Sequence, residues 1–207
     1  MKYIVIGKGG RHDIIVDILG MLNYGGFFDD NPSDSKWYLG PLGSIKHEEN
    51  TSALIGFGTL KYIASRGKLL DIIDRLYPSK INAIHPSAVI AKSTQYGWGN
   101  IVAANTTLGV NVRLGNGCTI FSNTTIEHDS RVGNNVNISP GVTVSGYVDI
   151  GDNAFIGAGV CIVERITIGK NAVIGAGSLV IRDVEADSIY YGSPARFVRK
   201  NDLYTVE

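Results

Sequence analysis

"NVNISPGVTVSGYVDIGDNAFIGAGV", residues 135–160, decides the fold. Ile138, Val144, Ile150 and Ile156 recur at every sixth position, and Val136, Val142, Val148 and Ala154 each stand two residues earlier. Neither a helical period of 3.6 nor a strand period of 2.0 produces a strict six. The register holds in both directions, from Ile84 to Val180. It gives seventeen consecutive apolar residues, all aliphatic except Tyr96. The companion positions are small or β-branched, among them Ala88, Cys118, Thr124, Ser130, Ala172 and Ser178, with Asn100 the exception. Such a repeat reads as a parallel β-helix with one large aliphatic and one small residue of each hexad facing inward. Glycine follows the aliphatic in Gly97, Gly109, Gly115, Gly133, Gly151, Gly157, Gly169 and Gly175, where a tight corner at positive φ would favour it.

Residues 1–83 follow a different period. "KYIVIG" reads as a buried strand, "RHDIIVDILGMLNY" as a helix, and "GGFFDD" as a second strand ending in two acids. "ALIGFG" is a further strand, "TLKYIASRGKLLDIIDRLY" a helix, and "KINAIHP" leads into the repeat. This β-α-β-(β)-α-β alternation predicts a small parallel sheet of Rossmann-like type. The expected organisation is an α/β Rossmann-like domain over 1–83 and an all-β helix of hexapeptide repeats over 84–207. The turn Gly7-Lys8-Gly9-Gly10-Arg11-His12 starts like G-x-G-x-x-G but lacks the third glycine, so no dinucleotide is indicated. It reads either as a tight strand-to-helix turn or as a pocket where a helix N-terminus meets phosphate or carboxylate.

Composition narrows the function. Nineteen basic and nineteen acidic residues cancel, so no cationic field recruits nucleic acid or anionic membrane. Two cysteines, Cys118 and Cys161, make no disulfide framework and fit a reducing compartment. "YIVI" is too short for a signal-peptide core and no segment approaches a membrane span, so a cytoplasmic protein is expected.

"HPSA" at the start of the repeat, the Glu127-His128-Asp129 triplet followed by "VG", the "ISPG" step, the two "GAG" steps and the closing "GSPAR" resemble bacterial sugar acyltransferases. With "GKGG" and "GFFDD", the similarity spans the chain and is closest in kind to the NeuD/PglD family. That family includes sialic acid O-acetyltransferases and N-acetyltransferases of nucleotide-linked 4-amino sugars. The resemblance implies a left-handed β-helix with three hexads per triangular coil, so residues eighteen apart stack. Seventeen hexads then make a prism of roughly 27 Å. It also implies a homotrimer with acetyl-CoA lying between adjacent prisms.

In that register Glu127, His128 and Asp129 lie at a corner outside the prism. The His128 column runs Val110, His128, Gly146, Glu164, Arg182. Another edge stacks Ser122, Pro140, Ala158 and Ala176 beside Asn123, Gly141, Gly159 and Gly177, a ledge nearly bare of side chains. By resemblance His128 is a general base and Asp129 the carboxylate supporting it. Acyl transfer needs proton removal as the new bond forms, and an imidazole is suited to that at neutral pH. Asn137, Ala158 and Ala176 are implied to contact acetyl-CoA. Gly9, Gly10, Arg11, Asp29, Asp30 and Gly58 are implied to hold the sugar nucleotide. There are two departures from the family. Asn137 stands where a second His is common, able to donate a hydrogen bond to an acyl oxygen but not to titrate. Arg11 and then His12 follow the glycines where the family carries a His, so either could take that contact.

A zinc hydratase would need three His per metal, and the repeat offers only His128, with His85 at its start, so no metal is expected. Cys118 is at an inward position and Cys161 at an outward one without a neighbouring base, which favours direct transfer over a covalent thiol route. The function expected is acetyl-CoA-dependent N-acetylation of a nucleotide-linked 4-amino sugar for bacterial surface polysaccharide biosynthesis. O-acetylation of a sialic-acid-type sugar is the alternative, and a non-catalytic sugar-nucleotide-binding scaffold the alternative of another class.

Overall fold

The structure, a computed structural model, describes residues 1–202. Its first part is a four-stranded, all-parallel sheet in the order β3-β2-β1-β4. The strands are β1 (Lys2–Ile6), β2 (Tyr24–Phe28), β3 (Tyr38–Gly40) and β4 (Thr51–Ile55). Helix α1 (Gly10–Leu19) follows β1, and α2 (Ile63–Leu76) follows β4. Tyr3, Ile4, Val5 and Ile6 are all buried, as a strand covered on both faces requires.

Seventeen two-residue strands then climb a prism, from β5 (Ala83–Ile84) to β21 (Leu179–Val180). Every third strand pairs in parallel, so Asn137 lies between Thr119 and Phe155 and Thr125 between Thr107 and Thr143. Three faces result. Face one carries Ala83, Ile101, Thr119, Asn137, Phe155 and Val173 outward, face two Val89, Thr107, Thr125, Thr143, Cys161 and Leu179, face three Gln95, Arg113, Arg131, Asp149 and Thr167. The inward residues form one apolar core from Leu108 to Val184, with Cys118 inside it. Burial pushes the Cys118 thiol up to about 12, so it packs rather than reacts. An antiparallel hairpin of β22 (Ser188–Gly192) and β23 (Ala195–Lys200) extends face one at the far end.

The structure corrects three expectations. "KINAIHP" adds no strand to the first sheet: Ala83–Ile84 pairs with Ile101–Val102 and is the lowest rung of the prism. Tyr96, in the inward register, is 45% exposed, because the lowest coil has no coil beneath it. The glycines after the aliphatics are not the left-handed residues. Positive φ falls two positions later, at Gly99, Asn111, Gly117, Asn135, Asn153, Gly159, Asn171 and Gly177. The glycines themselves are required by close approach of the next coil. A Cβ at Gly133 would lie 2.8 Å from the Asp152 amide nitrogen, and one at Gly157 2.5 Å from that of Ala176.

Face one seats the first domain, and its lower outward residues Ala83, Ile101, Thr119 and Asn137 are buried by it. Arg66 of α2 is wholly buried, with Nη2 donating to the Gly117 carbonyl at 2.8 Å, and Asn135 Nδ2 donates to the Ile63 carbonyl at 2.8 Å. These contacts fix the domain against the prism and leave faces two and three uncovered by it.

Candidate active site

His128 follows β12 (Thr125–Ile126) at the corner between faces two and three. With Ile126 and Ser130 buried on either side, the chain turns its side chain outward, and the imidazole is 51% exposed. Nδ1 lies 3.0 Å from Asp129 Oδ2, and Asn111 Nδ2, one coil below, donates to Asp129 Oδ1 at 3.0 Å. Hydrogen bonds from His128 and then Asn111 hold the Asp129 carboxyl below the usual carboxylate range. Nδ1 thus engaged, Nε2 is the nitrogen left to exchange a proton. The neighbouring coil gives the ring its room: a Cβ at Gly146 would come within 2.7 Å of Cε1 and 2.8 Å of Nε2.

The ledge forms the opposite edge of face two. Ala158, Gly159, Ala176 and Gly177 are exposed, and the Gly177 amide donates to the Ala158 carbonyl at 2.8 Å across successive coils. Gly141, Gly159 and Gly177 have φ near 70° (70°, 67° and 69°), and a Cβ on any of them would meet nothing within 4 Å. The ledge and His128 therefore belong to opposite edges of the same face in one chain.

The residues of the first domain gather around two adjoining hollows that share Gly9, Phe57 and Tyr62. One, of about 340 Å³, includes Asp29 and Asp30; the other, of about 420 Å³, includes Gly10, Arg11, Gly58 and Phe121 of the prism. Asp29 accepts from the Lys8 amide at 2.6 Å, and Asp30 from the Leu42 amide at 2.9 Å. Partial burial alone would raise the Asp29 carboxyl, but the Lys8 and Asn31 amides outweigh it and hold it low. Gly58 has φ +146°, and a Cβ there would collide with the Arg11 guanidinium.

The first-turn residues divide cleanly. His12 turns into the domain core, with Nε2 2.7 Å from the Tyr24 hydroxyl and Nδ1 2.8 Å from Asp13. Arg11 faces the hollow: it is 4% exposed, Nη1 donates to the Phe57 carbonyl at 3.0 Å, and Nε has no hydrogen-bond partner among the described residues. Its Nη2 donates to Asn137 Oδ1. Asn137 is 1% exposed and occupied by that bond and by Ser139 Oγ at 3.3 Å. In this chain the structure therefore joins Asn137 to Arg11 on face one, with face two separating it from His128. Burial and then the nearby Arg66 charge lower the basicity of Arg11.

Comparison with known proteins follows the same outline. Residues 111–146 and 147–182 match the family described as bacterial transferase hexapeptide (six repeats). Both stretches lie within the prism, which is similar to that family in its repeat. PerB from Caulobacter crescentus, solved with CoA and GDP-perosamine, is 25% identical over 96% of this chain and 97% of its own, with a TM-score of 0.84. The acetyltransferase domain of PglB from Neisseria gonorrhoeae is 25% identical over 95% and 99%, also at 0.84, and its complex with acetyl coenzyme A is 26% identical over 95% and 98% at 0.83. WeeI from Acinetobacter baumannii shares the fold at 22% identity over 96% and 100%, with a TM-score of 0.82. No curated protein matches the sequence. The prism has the left-handed β-helix of this class, and the resemblance extends through the α/β domain. Among the described residues, no helix is long and apolar enough to cross a membrane.

At these sites two groups escaped the sequence. Tyr147 meets the His128 ring edge to face, centroids 5.2 Å apart at 90°, and Arg165 lies 4.6 Å over Tyr147. Both stand eighteen-residue steps above Asp129, so the stacking arithmetic could have found them. Phe57 and Tyr62 line both hollows but lie in a loop and a short 3-10 turn, where no period marks them.

Proposed function

We propose that this chain transfers the acetyl group of acetyl-CoA directly to the amine of a nucleotide-linked 4-amino sugar, with His128 as general base. The observation that carries the reading is the exposed His128–Asp129 pair over bare Gly146, on a chain that follows PerB, solved with CoA and GDP-perosamine, over 96% of its length.

The chemistry follows from the atoms present. Nδ1–H donates to Asp129, leaving the Nε2 lone pair to take a proton from the amine as its nitrogen bonds to the thioester carbon. The C–S bond then breaks, and the proton on Nε2 passes to the departing CoA thiolate. Asp129, kept ionised by its hydrogen bonds, stabilises the transient imidazolium. The pantetheine arm lies along the ledge of Ala158 and Ala176, where no side chain stands above the backbone. The sugar nucleotide occupies the hollows around Gly9, Gly10, Arg11, Asp29, Asp30 and Gly58. Among the described residues no carboxylate pairs with the buried Arg11 guanidinium, a costly arrangement that nucleotide phosphates would relieve. Asn137 serves this account by holding Arg11.

The working unit is a cytoplasmic homotrimer with sites between chains, serving bacterial surface polysaccharide synthesis. Two features support the assembly. Face two is flat and uncharged, presenting Thr107, Thr125, Thr143, Cys161 and Leu179. Its edges carry the ledge and His128, so a site that uses both draws them from two chains packed around that face. A screen of UDP-, GDP- and dTDP-linked 4-amino sugars and free sialic acid, read as CoA release with mass-spectrometric product analysis, tests the function. A product acetylated on nitrogen is expected. Acetylation of sialic acid hydroxyls alone would favour the O-transfer reading, and nucleotide-sugar binding without any transfer would favour a scaffold.

A further inference from the structure

Four successive turns stack in the column that holds the base's partner: Asn111, Asp129, Tyr147 and Arg165, at φ 60°, 58°, 57° and 61°. At the other left-handed turns of the described prism the residue is Gly, Asn or Asp. Those residues enter this region readily, glycine for want of a Cβ and Asn or Asp through local hydrogen bonds. Tyrosine and arginine do not, and a bulky side chain at such a φ is an outlier held in place by something else.

Core packing does not hold them. Tyr147 is 45% exposed and Arg165 is exposed as well. Their contacts run instead toward His128. The Tyr147 ring stands edge to face against the imidazole, and the Arg165 guanidinium covers Tyr147. The Tyr147 amide donates to the His128 carbonyl at 3.1 Å, and the Arg165 amide to the Gly146 carbonyl at 3.1 Å. The two strained residues of the prism are thus consecutive members of one column, Tyr147 against the exposed histidine and Arg165 over Tyr147.

We propose that Tyr147 is a positioning residue for His128, and that Arg165 holds the tyrosine ring in place. This rests on the reading of His128 as the base. Asp129 fixes one nitrogen of the imidazole but leaves the ring free to swing in an exposed corner. Tyr147 closes the side toward which it would swing, and bare Gly146 leaves the ring its place. Backbone strain at two turns is retained in exchange for a fixed direction of Nε2.

Tyr147→Asn installs the residue type already found at the left-handed turns Asn105, Asn111, Asn123, Asn135, Asn153 and Asn171. It is expected to leave the melting temperature at or above the parent's, to lower kcat about tenfold and to leave KM for acetyl-CoA within about twofold. Tyr147→Phe, which keeps the ring contact, is expected to retain kcat within about twofold, and Arg165→Asn to fall between the two. A purely structural tyrosine would behave oppositely, with stability lost and kcat kept. Unchanged kcat in Tyr147→Asn, or failure of that variant to fold, overturns the proposal. His128→Ala is measured beside it. Parental turnover there refutes the general-base reading itself, whereas loss in His128→Ala with none in Tyr147→Asn refutes only the positioning role.

Discussion

The two edges of face two are built on one backbone and could hardly differ more in what they carry. Along one, Ala158, Gly159, Ala176 and Gly177 leave the peptide bare, and an added Cβ at Gly159 or Gly177 would meet nothing. Along the other, His128, Asp129, Tyr147 and Arg165 crowd the same kind of turn with charge and aromatic rings. The hexad repeat supplies stability through its inward residues, which are equivalent at both edges. The proposed function is carried by departures from the repeat, side chains removed along one edge and added along the other.

That contrast can be broken from the loaded edge first. His128→Ala removes the only imidazole there and is expected to lower kcat by about 10²-fold or more, the usual contribution of a general base. The fold should be unaffected, because the ring lies outside the core; circular dichroism and steady-state rates check both. At the bare edge, Ala176→Trp fills the ledge while Ile174 and Ser178 keep the interior packed. KM for acetyl-CoA should rise about tenfold or more, with sugar-nucleotide affinity retained by calorimetry. Equal acetyl-CoA binding in a variant that keeps its assembly state would remove the ledge from the cofactor site.

Smaller effects sharpen the comparison. Gly146→Ala introduces one methyl against Cε1 and Nε2 of His128 at a turn whose φ an alanine can adopt. A several-fold loss of kcat is expected, with little change in either KM. Asp129→Asn removes the charge that stabilises the transient imidazolium, so kcat should fall, by less than in His128→Ala, with KM for acetyl-CoA little changed. A parental kcat in Asp129→Asn would show that Asp129 does not act through His128.

Much of this was legible in the sequence because a six-residue period fixes inside from outside. Ile126 and Ser130 alone place His128 on a corner, and the interval of eighteen sets Ala158 beneath Ala176. The left-handed positions were misassigned because glycine answers two different demands. Gly133 is small so that the Asp152 backbone can approach, whereas Asn135 two residues later takes the positive φ. Tyr96 carried the inward register but no coil lies below it, a boundary effect invisible to any period. The link from Arg11 to Asn137 crosses 126 residues and depends on how the first domain docks on face one, which neither repeat nor motif encodes. Tyr147 and Arg165 were within reach of the arithmetic, yet nothing in their own sequence context sets them apart from surface residues.

The division of the site between two chains is the central claim, and mixing two crippled variants tests it most directly. His128→Ala keeps an intact ledge, and Ala176→Trp keeps an intact base. Chains of each, unfolded and reassembled together at equal concentration, form hybrid trimers that native mass spectrometry can count. If each site takes His128 from one chain and the ledge from its neighbour, one site in every hybrid trimer is whole, and about one quarter of parental activity returns. Activity no greater than the sum of the two variants, in a sample where hybrid trimers are present, would contradict a shared site.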